Sequence, residues 1–523
     1  MPESAVELTA TELGVKTANT ASFVVFGKFF SVLAGGIMFI IVARLLGPSG
    51  YGIYTLSLAI AGFVGASGGL SIGMYFSRYI PEFLSKNERE KMAVSIGDGL
   101  LILLIISAFL ASAGILLGGF ISAINFGSAK YTLFVDAAML SIIAALMSTT
   151  AYSLLISFGA GKQGAIQSLF NAPLQAVISV ALILTGYGAM GAIVGYLAGL
   201  SASATVGFLL VMKYSKISIS LNGMRKRLGK MLRFALPMTG TTIVYNVVSN
   251  LSVMLLGIAM VPIGIIGQYG VASKMGTLID IASGSISIVL VPMFATALYN
   301  RRTKVKMPLL YESSIYYGLM FTVPVIVYVS MLSRSLVITL FTLSYSSTML
   351  FIPLISIGLL IGFVGSYSYS FMISSGEVRK ILKYSLIAGA ASVISMLITV
   401  KPFGVIGVIF SVLYIGNIII SMLSFRHLSK QGIGINHARL FRVILANIAL
   451  AVVFLPLMLS GIRPTFLLLM GIGLLLLAYP PLLVLTRAAS RDDANILTKA
   501  GSGIPLFGML LTLLIRYALF FIR

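Results

Sequence analysis

A small set of charged and amide side chains stands inside long apolar runs of this sequence, and these are the residues able to do chemistry. An ionisable group in hydrocarbon costs several kcal/mol unless it faces a hydrated cavity, so each is a candidate for handling a charged solute. Lys28 lies about 12 Å into the first apolar run at 1.5 Å per residue, and Lys274 is similarly deep in the eighth. Snorkelling of the lysine stem to an interface is the rival reading for both. Asp280 follows Lys274 by six residues, a rotation of about 600°, so the two do not share a face. Asp280 is therefore free to meet a cation on another helix, or to bind a coupling proton or sodium ion. Asp136 could serve the same ion-coupling role, although Asp136, Asp98 and Glu312 all lie near ends of their runs, where interfacial anchoring is the ordinary explanation. Arg44 and Arg78 end the first and second runs; a planar guanidinium suits phosphate, and it also anchors a helix end. Asn246 and Asn250, four apart, share one helix face.

Other chemistries are excluded by what is missing. The sequence has no cysteine and only two histidines, His427 and His437, so disulfides, thiol catalysis and a histidine-rich metal site are not expected. It contains no phosphate-binding glycine loop with its lysine, no paired catalytic carboxylates and no nucleophile motif. Neither an enzyme nor a cofactor is expected, and the loops are too short for a nucleotide-binding domain.

The elements that must position these residues are membrane-spanning helices. Only 9% of the 523 residues are charged and 59% are hydrophobic, against roughly 25% charged in a soluble domain, so most of the surface must face lipid. About fourteen runs approach the ~20 apolar residues a spanning helix needs. They are 20–43, 52–77, 93–119, 131–157, 165–186, 189–212, 234–258, 265–297, 309–333, 349–373, 382–400, 403–424, 442–460 and 465–486. Runs such as Leu100–Ile106 do not alternate, which argues against a β-barrel. The net charge of +23 would suggest nucleic acid in a soluble protein. Here Lys and Arg concentrate in the loops after even-numbered spans, which makes the imbalance an orientation signal and predicts a cytoplasmic N-terminus in the cell membrane. The N-terminal segment 1–19 has no signal-like basic start. The most basic loop, 213–233, holds Arg225, Lys226, Arg227 and Lys230 and suits anionic headgroups as well as topology.

The chain also repeats. Ser157-Phe-Gly159 matches Ser374-Ser-Gly376, Gly188-Ala-Met-Gly191 matches Gly404-Val-Ile-Gly407, and Gly50-Tyr-Gly52 parallels Gln268-Tyr-Gly270, all at an offset near 217 residues. Six spans per repeat keep both halves in one orientation, as parallel repeats. The expected organisation is an N-terminal segment (1–19), a first six-helix bundle (20–212), a basic linker (213–233), a second bundle (234–424), two additional helices (442–486) and a tail (487–523). The tail's apolar stretch 504–523 reads better as interfacial than as a further span. Gly188, Gly191, Gly195 and Gly199 form a small-residue stripe that reads as helix packing. At an offset of 218, Asn246 falls opposite Lys28.

The segment Ala43-Arg-Leu-Leu-Gly-Pro-Ser-Gly-Tyr-Gly-Ile-Tyr54 resembles the signature of the polysaccharide transporter branch of the multidrug/oligosaccharidyl-lipid/polysaccharide exporter superfamily. Arg78-Tyr-Ile-Pro-Glu82 and the glycine turns Gly159-Ala-Gly-Lys162 and Gly376-Glu-Val-Arg379 fit the same pattern. The resemblance implies an all-α, V-shaped transporter of two six-helix bundles plus two. It implies a flippase that moves a polyprenyl phosphate or pyrophosphate glycan to the outer leaflet by alternating access. In that reading Lys28 and Lys274 are a phosphate-binding pair, Arg78 captures the headgroup at the cytoplasmic side, Arg44 adds a further cation, and Asn246 and Asn250 hydrogen-bond sugar. The partners are then the lipid-linked glycan, membrane lipids and a coupling proton or sodium ion, with no nucleic acid. The alternative is a proton- or sodium-coupled multidrug or organic-cation antiporter of the same superfamily, using Asp136 and Asp280.

Overall fold

The computed structural model describes residues 10–68, 72–220, 223–299, 307–434, 437–490, 493 and 517; the side chains of 10–34 and 280–289 are among those outside the description. Helix dominates and no strand occurs among the described residues. Backbone polar groups in hydrocarbon must be satisfied within the segment, which leaves helices as the spanning solution for non-alternating apolar runs.

Contacts divide the chain into two compact units, 1–267 and 268–523. The first contains α1 (Ala10–Gly68), α2 (Ile72–Ser85), α3 (Arg89–Leu116), α4 (Gly118–Phe126), α5 (Thr132–Ser157), α6 (Gly161–Leu182), α7 (Gly188–Val211) and α8 (Met224–Ile258). Helix α9 (Ile263–Tyr299) crosses the division. The second unit continues with α10 (Met307–Met331), α11 (Ser333–Leu340), α12 (Thr348–Ser374), α13 (Val378–Ile409), α14 (Asn417–Ser429), α15 (His437–Leu459) and α16 (Pro464–Leu485).

Among the described residues every run expected to span is largely helical, but helix boundaries and spans do not coincide. Among the described residues nine helical stretches are long and apolar enough to cross a membrane, and two of these are 51 residues long, Gly161–Val211 and Arg379–Ser429. Each of those holds two expected spans joined through a tight glycine turn. Likewise α1 carries the first span and most of the second, broken at Gly47, which is non-helical ahead of Pro48. The end of the expected second span and the start of the loop after it form α2. Its buried residues Ile72, Tyr75, Phe76 and Ile80 recur at helical spacing, so a short amphipathic helix forms where charge density alone suggested a loop. Residues 504–523, apart from 517, lie outside the described residues.

Packing follows the small residues. In α7, a side chain at Gly195 would meet Ser179 of α6, one at Gly199 would come within 2.8 Å of the Asn171 carbonyl, and one at Gly207 within 2.7 Å of Ala151 and Gln167. Lipid gives no hydrophobic drive for helix association, so close backbone approach of this kind holds the bundle. Unit 2 instead has an aromatic centre: Phe294, Tyr311 and Phe371, from α9, α10 and α12, pack with ring centroids 5.4–6.4 Å apart and are all but inaccessible. Helices α15 and α16 pack on α10 and α11. The chain after α16 is held there by Asp493, which accepts hydrogen bonds from Tyr317 Oη (2.6 Å) and Ser490 and pairs with Arg439 at 2.6 Å. The Arg439 guanidinium also lies 3.8 Å over the Tyr316 ring.

Candidate functional site

In unit 2 the candidate residue expected from the sequence is Lys274, and its helix shows which face it occupies. Along α9, Val271, Ala272, Met275, Gly276 and Ile279 are buried, while Ser273, Lys274 and Thr277 are exposed. A side chain at Gly276 would come within 2.6 Å of Ile355 of α12, so the buried face is in tight contact. The open face is serine, lysine and threonine, with the Thr277 hydroxyl bonded back to the Ser273 carbonyl at 3.0 Å. A lipid-facing surface would be apolar; a hydroxyl–ammonium–hydroxyl face fits water and an anionic solute. Lys274 forms no hydrogen bond or ion pair among the described residues. Asp280 lies further along the same helix, and Lys28 lies on α1; both side chains are outside the description.

Unit 1 distributes its polar residues differently. Arg44 is exposed on α1, three residues before the Gly47 break. Arg78 is exposed at the middle of α2. On α8 the Asn250 amide donates to the Asn246 carbonyl at 2.8 Å, and Asn250 packs against Gly62 of α1 so closely that a Cβ there would reach 2.5 Å from Oδ1. Asn250 thus serves the α1–α8 contact, and Asn246 is half-buried beside it. Asp136 near the start of α5 is half-buried, with Oδ1 closed off and without a hydrogen-bond partner; a side chain at Gly118 would collide with it. A carboxylate oxygen in that state is costly unless it carries a proton or meets a cation.

One constellation was not legible in the sequence. Asp98, expected at an interface, is fully buried in α3, and Arg227 Nε reaches it at 2.6 Å from the first turn of α8. The same guanidinium donates to the Ser220 carbonyl. The linker itself lies on α3: Ser218 N–H donates to the Ala93 carbonyl at 3.2 Å, where Gly97 leaves room for the crossing backbone. The cluster read as a uniform headgroup-facing strip is therefore split. Arg225, Lys226, Lys230 and Arg233 are exposed, while Arg227 turns inward. The only hint was an aspartate in an apolar run with arginines far downstream.

These features define a helical multi-pass membrane protein with internally repeated helix pairs and isolated polar faces. The fold is similar to that of a solved lipid II flippase MurJ in an inward closed conformation, with a TM-score of 0.73 at 16% identity, covering 89% of this chain and 98% of that one. It is also similar to an inward-facing multidrug resistance MATE family transporter of the MOP superfamily, with a TM-score of 0.62 at 16% identity over 76% of this chain and 94% of that one. A mutant of the Vibrio cholerae MATE transporter VcmN matches with a TM-score of 0.56 at 16% identity over 80% of this chain and 98% of that one. The comparison with curated proteins gives no match. The sequence profile of the family described as polysaccharide biosynthesis protein matches residues 18–298. The chain belongs to that family.

Proposed function

We propose that this protein is a flippase that carries a lipid-linked oligosaccharide, a polyprenyl phosphate or pyrophosphate glycan, from the cytoplasmic to the outer leaflet by alternating access. The observation that carries this reading is the Ser273–Lys274–Thr277 face of α9, a cation flanked by hydroxyls on a helix otherwise suited to hydrocarbon. Membership of a polysaccharide biosynthesis family and a fold shared with a lipid II flippase support it. In this reading Lys28 and Lys274 hold the phosphate, Arg44 and Arg78 assist at the two membrane faces, and Asn246 and Asn250 meet sugar in addition to their packing role. The six-helix bundles are 20–212 and 234–424, and the basic ends of the helices face the cytoplasm of a cell-membrane protein.

The test is flipping of fluorescent lipid-linked sugars in liposomes. Lys274→Ala and Lys28→Ala should each slow the flip by about tenfold, the size of one lost charge-assisted hydrogen bond. Unchanged rates in folded protein would remove the phosphate pair.

A second reading has its own observation. The closed-off, unpartnered Oδ1 of Asp136 suits a proton or small cation, as a cation antiporter or an ion-coupled flippase requires. If cation transport or ion coupling survives Asp136→Asn combined with Asp280→Asn, that reading is lost.

A further inference from the structure

The second helix carries two parallel ladders. Arg78 and Glu82 on α2 and Lys86 just past its end recur every four residues on one side, and Tyr75, Tyr79 and Phe83 do so on the next. The aromatic ladder is continuous, with Tyr75–Tyr79 centroids at 4.5 Å and Tyr79–Phe83 at 6.5 Å. Lys230, from the second turn of α8, lies across it with Nζ 5.2 Å from the Tyr79 ring centre. One carboxylate serves three cations here. Lys86 binds Glu82 at 2.7 Å, and Lys86 first, then Arg78 and Lys230, hold the Glu82 carboxyl below its usual range.

Glu82 neutralises one of those three charges and leaves two. Arg78 and Lys230 are exposed, and neither makes a hydrogen bond or ion pair among the described residues. Elsewhere on the basic end the cations are either committed, as Arg227 is to Asp98, or stand alone. Two uncommitted cations from different helices, one a planar fork and the other a point charge, match an anion with oxygens on more than one side. The half-buried faces of Tyr79 and Phe83 beside them offer an apolar or stacking surface to the organic group esterified to that anion.

We infer that Arg78 and Lys230, with Tyr79 between them, form a docking site for the phosphate or diphosphate of a prenyl-type lipid headgroup at the basic end of unit 1. The substrate class rests on the flippase reading; the anion site itself rests on the side-chain arrangement. The site would collect the headgroup before it meets the deeper polar faces, so its loss weakens capture rather than the crossing step.

The experiment uses the full chain in nanodiscs of zwitterionic lipid, with farnesyl diphosphate as the soluble prenyl diphosphate probe. Arg78→Ala and Lys230→Ala should each weaken binding by about tenfold, and the double variant by more, as expected for lost charge-assisted contacts. Glu82→Gln should tighten binding, because it removes the carboxylate nearest Arg78 and Lys230 and releases its hold on Lys86; a merely structural role for these residues would give no gain. Lys226→Ala, an exposed neighbour outside the cluster, should leave binding unchanged. Inorganic pyrophosphate should bind more weakly than the prenyl form if Tyr79 and Phe83 contribute, and Tyr79→Ala should erase that difference. Equal affinity for the two anions would refute the prenyl-headgroup assignment. So would competition by phosphatidylglycerol in the nanodisc, which would make this a bulk phospholipid contact. Unchanged binding in the double variant, or an equal loss in Lys226→Ala, would refute the site. Parallel flipping measurements separate the two claims. Variant-sensitive farnesyl diphosphate binding without any flipping keeps the site and removes the flippase reading. Flipping with variant-insensitive binding does the reverse.

Discussion

The α6–α7 junction of unit 1 and the turn within α13 of unit 2 share one glycine conformation and differ in chemistry. Gly188 has φ 50° and ψ −130°; Gly404, 216 positions later, has φ 53° and ψ −126°. Three residues on in each case, a second glycine presses against the preceding helix, Gly191 on Leu182 and Gly407 on Thr399. The side chains around these turns diverge. In unit 2, Thr399 Oγ1 donates to or accepts from Ser411 at 3.0 Å and reaches the Gly407 carbonyl at 3.1 Å, while Ser395 and Ser411 hydroxyls meet at 2.8 Å. The positions 216 earlier than Thr399, Ser411 and Ser395 are Ile183, Gly195 and Ser179, so only one of the three carries a hydroxyl in unit 1. Glycine fixes the turn because the conformation is closed to other residues, and that leaves neighbouring positions free to become polar or apolar. What the two units share at these places is the glycine conformation, and the Thr399–Ser411 hydroxyl contact stands where their side chains differ.

The comparison is broken most severely at the Asp98–Arg227 pair: the place matching Asp98 in unit 2 is Ile315, and Arg227 comes from the linker, outside the repeat. Arg227→Ala should cost about 3–5 kcal/mol by leaving a buried carboxylate unpaired, seen as a large drop in melting temperature in detergent. Asp98→Asn combined with Arg227→Gln should recover much of that loss. Next in size are Gly188→Ala and Gly404→Ala, each expected to cost about 1–3 kcal/mol for the forced backbone conformation. The two costs should agree closely; a large inequality in the same melting assay would mean that the shared geometry is not a shared constraint.

A pH effect confined to unit 2 should follow. Burial pushes the Asp493 carboxyl up, but hydrogen bonds from Tyr317 and Ser490 and the charge of Arg439 outweigh it and hold the group below its ordinary 3.8. A carboxyl depressed on folding stabilises fully above its unfolded value, and that contribution is lost as pH falls through the folded one. Attachment of the chain after α16 should therefore weaken below about pH 4. Limited proteolysis with an acid-stable protease should release the tail in that range, and Asp493→Asn should release it at neutral pH as well. The smallest effect belongs to the hydroxyls: Thr399→Val should cost about 1 kcal/mol, whereas Ile183→Thr in unit 1 should gain nothing.

Much of the fold was legible because apolar run length and loop charge report directly on what hydrocarbon permits. The repeat was legible through glycines whose conformation has no substitute. The helix α2 was missed because Ile72–Ser77 read on as the end of the second apolar run and Arg78 and Glu82 as the loop after it. Of the candidate residues, Lys274 keeps a polar face to itself, whereas Asn250 is engaged with Gly62 of a neighbouring helix. Sequence spacing gives a face but not what lies against it. The meetings of Asp98 with Arg227, Lys230 with Tyr79, and Asp493 with Tyr317 join residues more than a hundred positions apart, and each is decided by packing that no local pattern encodes.

The buried Asp98–Arg227 pair also sets an order in time. Its members are 129 residues apart in the chain. At about 5–20 residues per second, synthesis separates them by roughly ten seconds. Throughout that interval α3 holds a carboxylate with no partner, so it must stay hydrated or protonated at the basic end of the nascent bundle. Where that carboxylate stays ionised, the basic end of the first seven helices has to stay open to water until α8 begins to emerge, which ties the closing of unit 1 to the arrival of Arg227.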